Sequence, residues 1–239
     1  MITIESTRTE ITDFIRKNYN RIIAEEPKML ANWHKLVRNS NGKTSILYPY
    51  NLEGVNLYYY RSGNRKTYFH EHIIEIPFAK DKCQYVEYPN NMVATWKYTH
   101  HFFERYRERL KLKCSQKQMI KHFLNHTNPM ICIYRKNNQL VFATEQGLVL
   151  GVDDEKLEMN IGCTFVDYGL LKVSQKAAFN KVKQIAEEVI SKHQEMSKSG
   201  IAHYVCSSIL EEKYKNVCDE AKEIYSMYYE MGDLRERKY

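Results

Sequence analysis

The sequence predicts an α+β fold, and three features carry that prediction. Apolar residues recur at helical spacing near both ends: Ile11, Phe14, Ile15, Ile22 and Ile23 early, and Leu210, Tyr214, Val217, Ala221, Ile224, Tyr228 and Met231 late. Two stretches, 45–96 and 130–166, are rich in β-branched and aromatic residues and are punctuated by Gly, Asn and Pro. A basic segment of helical period separates them. The expected architecture is an N-terminal helix with a small antiparallel sheet, a central helix–helix–antiparallel sheet unit, and a C-terminal helical hairpin. These regions span 1–95, 96–171 and 172–239, with a single compact domain as the alternative.

In the first helix Ser6 and Thr7 are candidate N-caps, and Glu10 follows Thr7 by three residues, as in a capping box. Pro27 is expected to break that helix, which resumes over 29–37, and 39–43 reads as a loop. Ser62-Gly63-Asn64 reads as a hairpin turn between strands at 57–60 and 67–76. Thr99 is a candidate N-cap for the basic helix, and Ser115 for a second helix ended by Asn128-Pro129. Strands follow at 130–135, 140–144, 148–152 and 159–166, with Lys136-Asn137-Asn138 and Gln146-Gly147 as turns. Two helical seams close the chain, the first running from Phe179 to Met196 and the second from Leu210 to Met231, joined by a loop containing Gly200.

Composition narrows the function classes. Apolar residues make up 43% of the chain, enough for a folded core. No apolar run approaches the ~20 residues of a membrane span, and residues 1–7 lack the basic and apolar regions of a signal peptide. The six cysteines are scattered without a C-x-x-C, which suits thiols in a reducing, cytoplasmic setting. No Gly-rich phosphate loop, G-x-S-x-G elbow or H-E-x-x-H is present, so nucleotide hydrolysis, Rossmann cofactor binding and zinc-protease chemistry are not expected.

Charge is concentrated in one place. Between Lys97 and His126 stand eight Lys/Arg and two acids, a net +6 against +7 for the whole chain. Within it His101, Arg105, Glu108 and Arg109 are spaced i, i+4, i+7 and i+8, so a helix aligns them in one stripe. Phe102, Phe103, Tyr106 and Leu110 form the neighbouring apolar face. An imidazole and two guanidiniums in line can hold a phosphate and move a proton. The same spacing also describes a solvated helix face of i, i+4 ion pairs.

The run His101-x-x-x-Arg105-x-x-Glu108-Arg109, followed by a helix and a short antiparallel sheet, resembles the helix of RelE-like small domains, and Thr164-Phe165-Val166 is similar to their last-strand T-V sequence. The resemblance covers about 97–171. The chain departs from the pattern at His100 and at the bulky Phe102-Phe103, and its N-terminal half lies outside it. The resemblance implies the barnase–colicin–RelE type of fold and a toxin-like, metal-independent endoribonuclease. In that scheme the RNA 2′-hydroxyl attacks the adjacent phosphate. His101 would be the acid or base, and Arg105 and Arg109 would stabilise the phosphorane. Thr164 would bond a phosphate oxygen, and Glu108 would orient the arginines. Arg107, Lys111, Lys113, Lys117 and Arg135 would bind the nucleic-acid backbone. The partners implied are RNA and an antitoxin-like protein, with no cofactor and no metal. The alternative is a non-catalytic module that uses the basic helix only to bind nucleic acid or protein.

Three further constellations bear weighing. His70 and His72 share a strand face, which would permit zinc with His100 or His101, but the pattern defines no third and fourth ligand, and surface or half-buried histidines before the Ile73-Ile74 strand are the preferred reading. His122 and His126 are i, i+4, which reads as half a metal site or as solvated positions. Tyr48, Tyr50 and Tyr58-Tyr59-Tyr60 are either a base-stacking platform or an ordinary aromatic strand.

Overall fold

The protein is described from a computed structural model, which covers residues 2–40, 44–63, 68–89, 95–127, 130–173, 175–176, 180, 215–231 and 234. Among the described residues the helices are α1 (Arg8–Lys17), α2 (Tyr19–Arg38), α3 (His100–Arg109), α4 (Gln116–His126) and α5 (Lys215–Glu230). Its strands are β1 (Thr44–Leu52), β2 (Val55–Gly63), β3 (Tyr68–Ala79), β4 (Lys82–Pro89), β5 (Trp96–Tyr98), β6 (Ile131–Lys136), β7 (Gln139–Ala143), β8 (Gly147–Asp154) and β9 (Met159–Asp167).

The expected fold class needs correction. The strands follow the order β1-β2-β3-β4-β5-β9-β8-β7-β6 in one nine-stranded sheet, not a small N-terminal sheet and a separate central one. The three-residue β5 explains the error, because a strand that short shows no period in sequence. Of the expected C-terminal hairpin, only the second seam is described, as α5; the first seam and the Gly200 loop lie outside the described residues.

The chain packs as two compact units, each built from several segments. The first contains residues 1–100, 115–121 and 154–160. Its α1 starts on the capping box read from sequence: Glu10 N–H donates to Thr7 Oγ1 (3.2 Å) and Thr7 N–H to Glu10 Oε2 (2.8 Å). Pro27 does not break α2, which runs through it. Ile22, Met29, Trp33 and Val37 are buried on both sides of Pro27, and that burial outweighs the lost backbone bond. Strands β1 to β4 form antiparallel hairpins, and β5 pairs with β4. Glu53-Gly54, with φ of 49° and 84°, makes the two-residue β1–β2 turn. Pro49 sits in β1, which ends the strand order. Trp33 and Val37 of α2 pack with Ile46 on one face of these strands.

The second unit contains residues 101–114, 122–153 and 161–239. Asn137-Asn138, with φ of 49° and 61°, turns β6 into β7. A Cβ at Gly151 would collide with the Ile161 carbonyl, so this position of β8 tolerates only glycine. Phe102, Phe103 and Tyr106 are buried from α3, and Tyr106 meets Phe123 and Phe165 at ring-centroid separations of 5.2 and 4.7 Å. Helix α5 buries Ala221, Ile224, Tyr225 and Tyr228.

Candidate nucleic-acid interface

The stripe on α3 is divided by its partners. The His101 side chain is 14% exposed, with Nδ1 3.8 Å from Glu104 Oε2. Arg105 donates to Glu108 Oε2 at 2.9 Å, so Glu108 acts on this arginine. Arg109 donates to Thr164 Oγ1 at 3.2 Å and to the Phe165 carbonyl, and its guanidinium lies 5.0 Å from the Tyr228 ring centroid. The structure therefore brings Arg109 and Thr164 together, but inside the fold. Thr164 is 0% exposed, and its hydroxyl serves Arg109 rather than a phosphate.

The outward cations lie farther along. Lys111, Lys113 and Lys117 are exposed, and none of them forms an ion pair among the described residues. Lys111 ends α3 with φ of 53°. Its N–H donates to the Glu108 carbonyl and that of Leu112 to the Arg107 carbonyl, a Schellman closure usually built on glycine. Arg107 is half-buried. Arg135 pairs with Asp153 across β6 and β8, so its charge is already matched. Lys97 is buried and donates to the Ile4 carbonyl.

A second constellation in the same unit was only half visible in the sequence. The Tyr106 hydroxyl, itself buried, lies 2.8 Å from His122 Nδ1 and donates to Gln146 Oε1 at 2.8 Å. His126 Nδ1 meets Glu145 Oε2 at 3.0 Å, and the two imidazole centroids are 4.6 Å apart. Burial first, then His126, holds His122 below the usual histidine range, against the pull of Glu145. The i, i+4 spacing in α4 signalled the pair. Glu145 and Gln146, from the β7–β8 turn, carried no signal of their own.

The remaining candidates are structural layers of the first unit. His70 and His72 stand opposite Arg61 and Tyr59 in register, on the face covered by Trp33, whose ring centroid lies 5.2 Å from the Arg61 guanidinium carbon. Tyr50 Oη bonds His72 Nδ1 at 2.7 Å, and burial pushes His72 down to about 4. Tyr59 and Tyr60 are buried, and Tyr58 donates to Glu75 Oε2 at 2.7 Å, so these rings pack on their own sheet. Among the described residues no group of three or more His, Cys, Asp or Glu is arranged to hold a metal ion. On the opposite face Glu71 is buried beside Glu87, which accepts from Tyr98 Oη at 2.7 Å. Burial, then Glu87, raises the Glu71 carboxyl well above the ordinary carboxylate range.

No family model, curated protein or solved structure matches this chain. Among the described residues, no helix is long and apolar enough to cross a membrane.

Proposed function

We propose that this protein binds nucleic acid, RNA in particular, through the lysines that follow α3. The observation that carries this reading is that Lys111 and Lys113 face solvent without a counter-charge among the described residues, in the segment that holds most of the chain's net charge. A polyanion neutralises such a segment and releases condensed counterions on binding, which makes affinity fall with salt. Surface cations that only solubilise a helix are ordinarily interleaved with acids, as Arg105 is with Glu108. The stretch from 109 to 126 contains no acid. A reducing, cytoplasmic setting fits Cys83, Cys114, Cys132 and Cys163, all free thiols.

The test is a titration of labelled single-stranded RNA at several salt concentrations, for the wild type and for Lys111→Glu/Lys113→Glu. Binding that weakens linearly in log salt, with a smaller slope in the variant, supports the reading. Binding that the double reversal leaves unchanged overturns it.

A further inference from the structure

We propose that His122 and His126 are an acid–base pair that cleaves the bound RNA strand, with Tyr106 and Glu145 as positioning residues. The inference rests on the RNA-binding reading above and adds a reaction to it.

The argument begins with where each ring nitrogen is committed. Tyr106 Oη donates to Gln146 Oε1, and an amide oxygen only accepts. The phenolic proton is thereby used, so the contact between Tyr106 Oη and His122 Nδ1 has the imidazole as donor. That tautomer leaves a lone pair on His122 Nε2. Glu145 is a carboxylate that likewise only accepts, so His126 donates from Nδ1 and works through Nε2. Both imidazoles are half-buried, each is oriented by a partner on its far nitrogen, and their rings are in contact. One positioned imidazole serves many structural roles. Two adjacent ones, both held by Nδ1 and neither bonded at Nε2 among the described residues, are arranged to take a proton at one atom and deliver one nearby.

The surroundings narrow the chemistry. Among the described residues the one hydroxyl bonded to the pair, that of Tyr106, is buried and committed on both sides, so the nucleophile is water or a group of the substrate. Of the nucleic acids that the lysines would hold, RNA carries such a group beside each phosphodiester, the 2′-hydroxyl, and DNA does not. His122 Nε2 takes the 2′-hydroxyl proton. O2′ forms a bond to phosphorus, the P–O5′ bond breaks, and O5′ takes the proton from Nε2 of the His126 imidazolium. The products are a 2′,3′-cyclic phosphate and a 5′-hydroxyl. His122 is left protonated and His126 neutral, and proton exchange with water resets both.

The experiment incubates end-labelled RNA with the full chain in EDTA and identifies the new termini by mass spectrometry. Wild type is compared with His122→Asn, His126→Asn and Glu145→Gln, and RNA is compared with the same strand carrying 2′-O-methyl groups. The expected result is cleavage to cyclic phosphate ends, slowed about 10²–10⁴-fold by either histidine change. Glu145→Gln lowers kcat with KM unchanged, and the methylated strand binds without being cut. The methylated strand tests the chemistry on the unaltered protein, whatever the variants do to folding. Tight, salt-sensitive binding with intact RNA overturns cleavage and leaves the binding reading standing. Cleavage that persists in both histidine variants, or on the methylated strand, overturns the pair. Absence of binding removes both readings.

Discussion

The Arg109 guanidinium donates to the fully buried Thr164 hydroxyl, and so ties the last turn of α3 to β9. It bonds the Phe165 carbonyl and stacks on Tyr228 as well, which ties α3 to α5. Arg109→Ala removes a charged donor from two acceptors and the cation from over the Tyr228 ring, an expected loss of about 2–3 kcal/mol. Arg109→Lys restores only part, since an ammonium lacks the planar fork. Urea unfolding measures this. Unchanged stability with weakened RNA binding would show that Arg109 serves the ligand instead.

Lys111 adopts a left-handed backbone that favours glycine. Lys111→Gly should raise stability by about 0.5–1 kcal/mol, the left-handed cost of roughly 1–2 kcal/mol less the extra backbone entropy that glycine loses on folding. The same change removes one exposed cation, so the slope of log affinity against log salt should shrink by ~0.7 for a single strand. Stability and salt dependence thus move in opposite senses in one variant, a pattern readable by thermal melting and RNA titration together.

His72 makes stability depend on pH. Its folded pKa is about 4 against an ordinary 6.5, so the unfolded chain binds the extra proton as pH falls below 6.5. The stabilisation is complete above that value and is lost on acidification, about 2 kcal/mol by pH 5 and about 3 kcal/mol below pH 4. His70 and His122 are shifted in the same direction. In His72→Gln the difference in unfolding free energy between pH 7 and pH 5 should shrink by about 2 kcal/mol. An unchanged difference would mean that His72 is charged in the fold.

Glu71 has the opposite slope. Its pKa is raised on folding, so the folded carboxyl keeps a proton that the unfolded one releases, and stability falls as pH rises above the ordinary carboxylate value. One of its oxygens, Oε2, is buried with no hydrogen-bond partner among the described residues. The Glu71→Gln variant carries an amide donor toward Glu87 and needs no proton. It should gain ~1–3 kcal/mol at pH 8 and less at pH 5. A gain that does not grow with pH would place the ionised form in the core.

Local signals were legible in the sequence because each lies within a few residues. Thr7 with Glu10 is such a signal, and so is Ser115, whose Oγ accepts from Gln118 N–H at 3.3 Å while Gln118 Oε1 accepts from Ser115 N–H at 2.9 Å. The Asn137-Asn138 turn is another. What failed depends on distant partners. Pro27 reads as a stop until the burial of Met29 and Trp33 is seen. Trp96 to Tyr98 is too short to show a strand period and is recognised only when β4 lies beside it. Arg109 reads as a phosphate ligand until Phe165 and Tyr228 claim it. The histidine pair shows its spacing in the chain, but its orientation comes from Glu145 and Gln146, which are distant in sequence.

Among the described residues this sheet has two outer rims, β1 and β6, and the amides of such a rim invite another chain. Pro49 lies midway along β1 and has no amide hydrogen to offer at that point. The rim is interrupted there for any incoming strand, so self-templated growth is disfavoured on this side. Restoring that hydrogen with Pro49→Val would remove the interruption and expose the chain to fibril formation at high concentration.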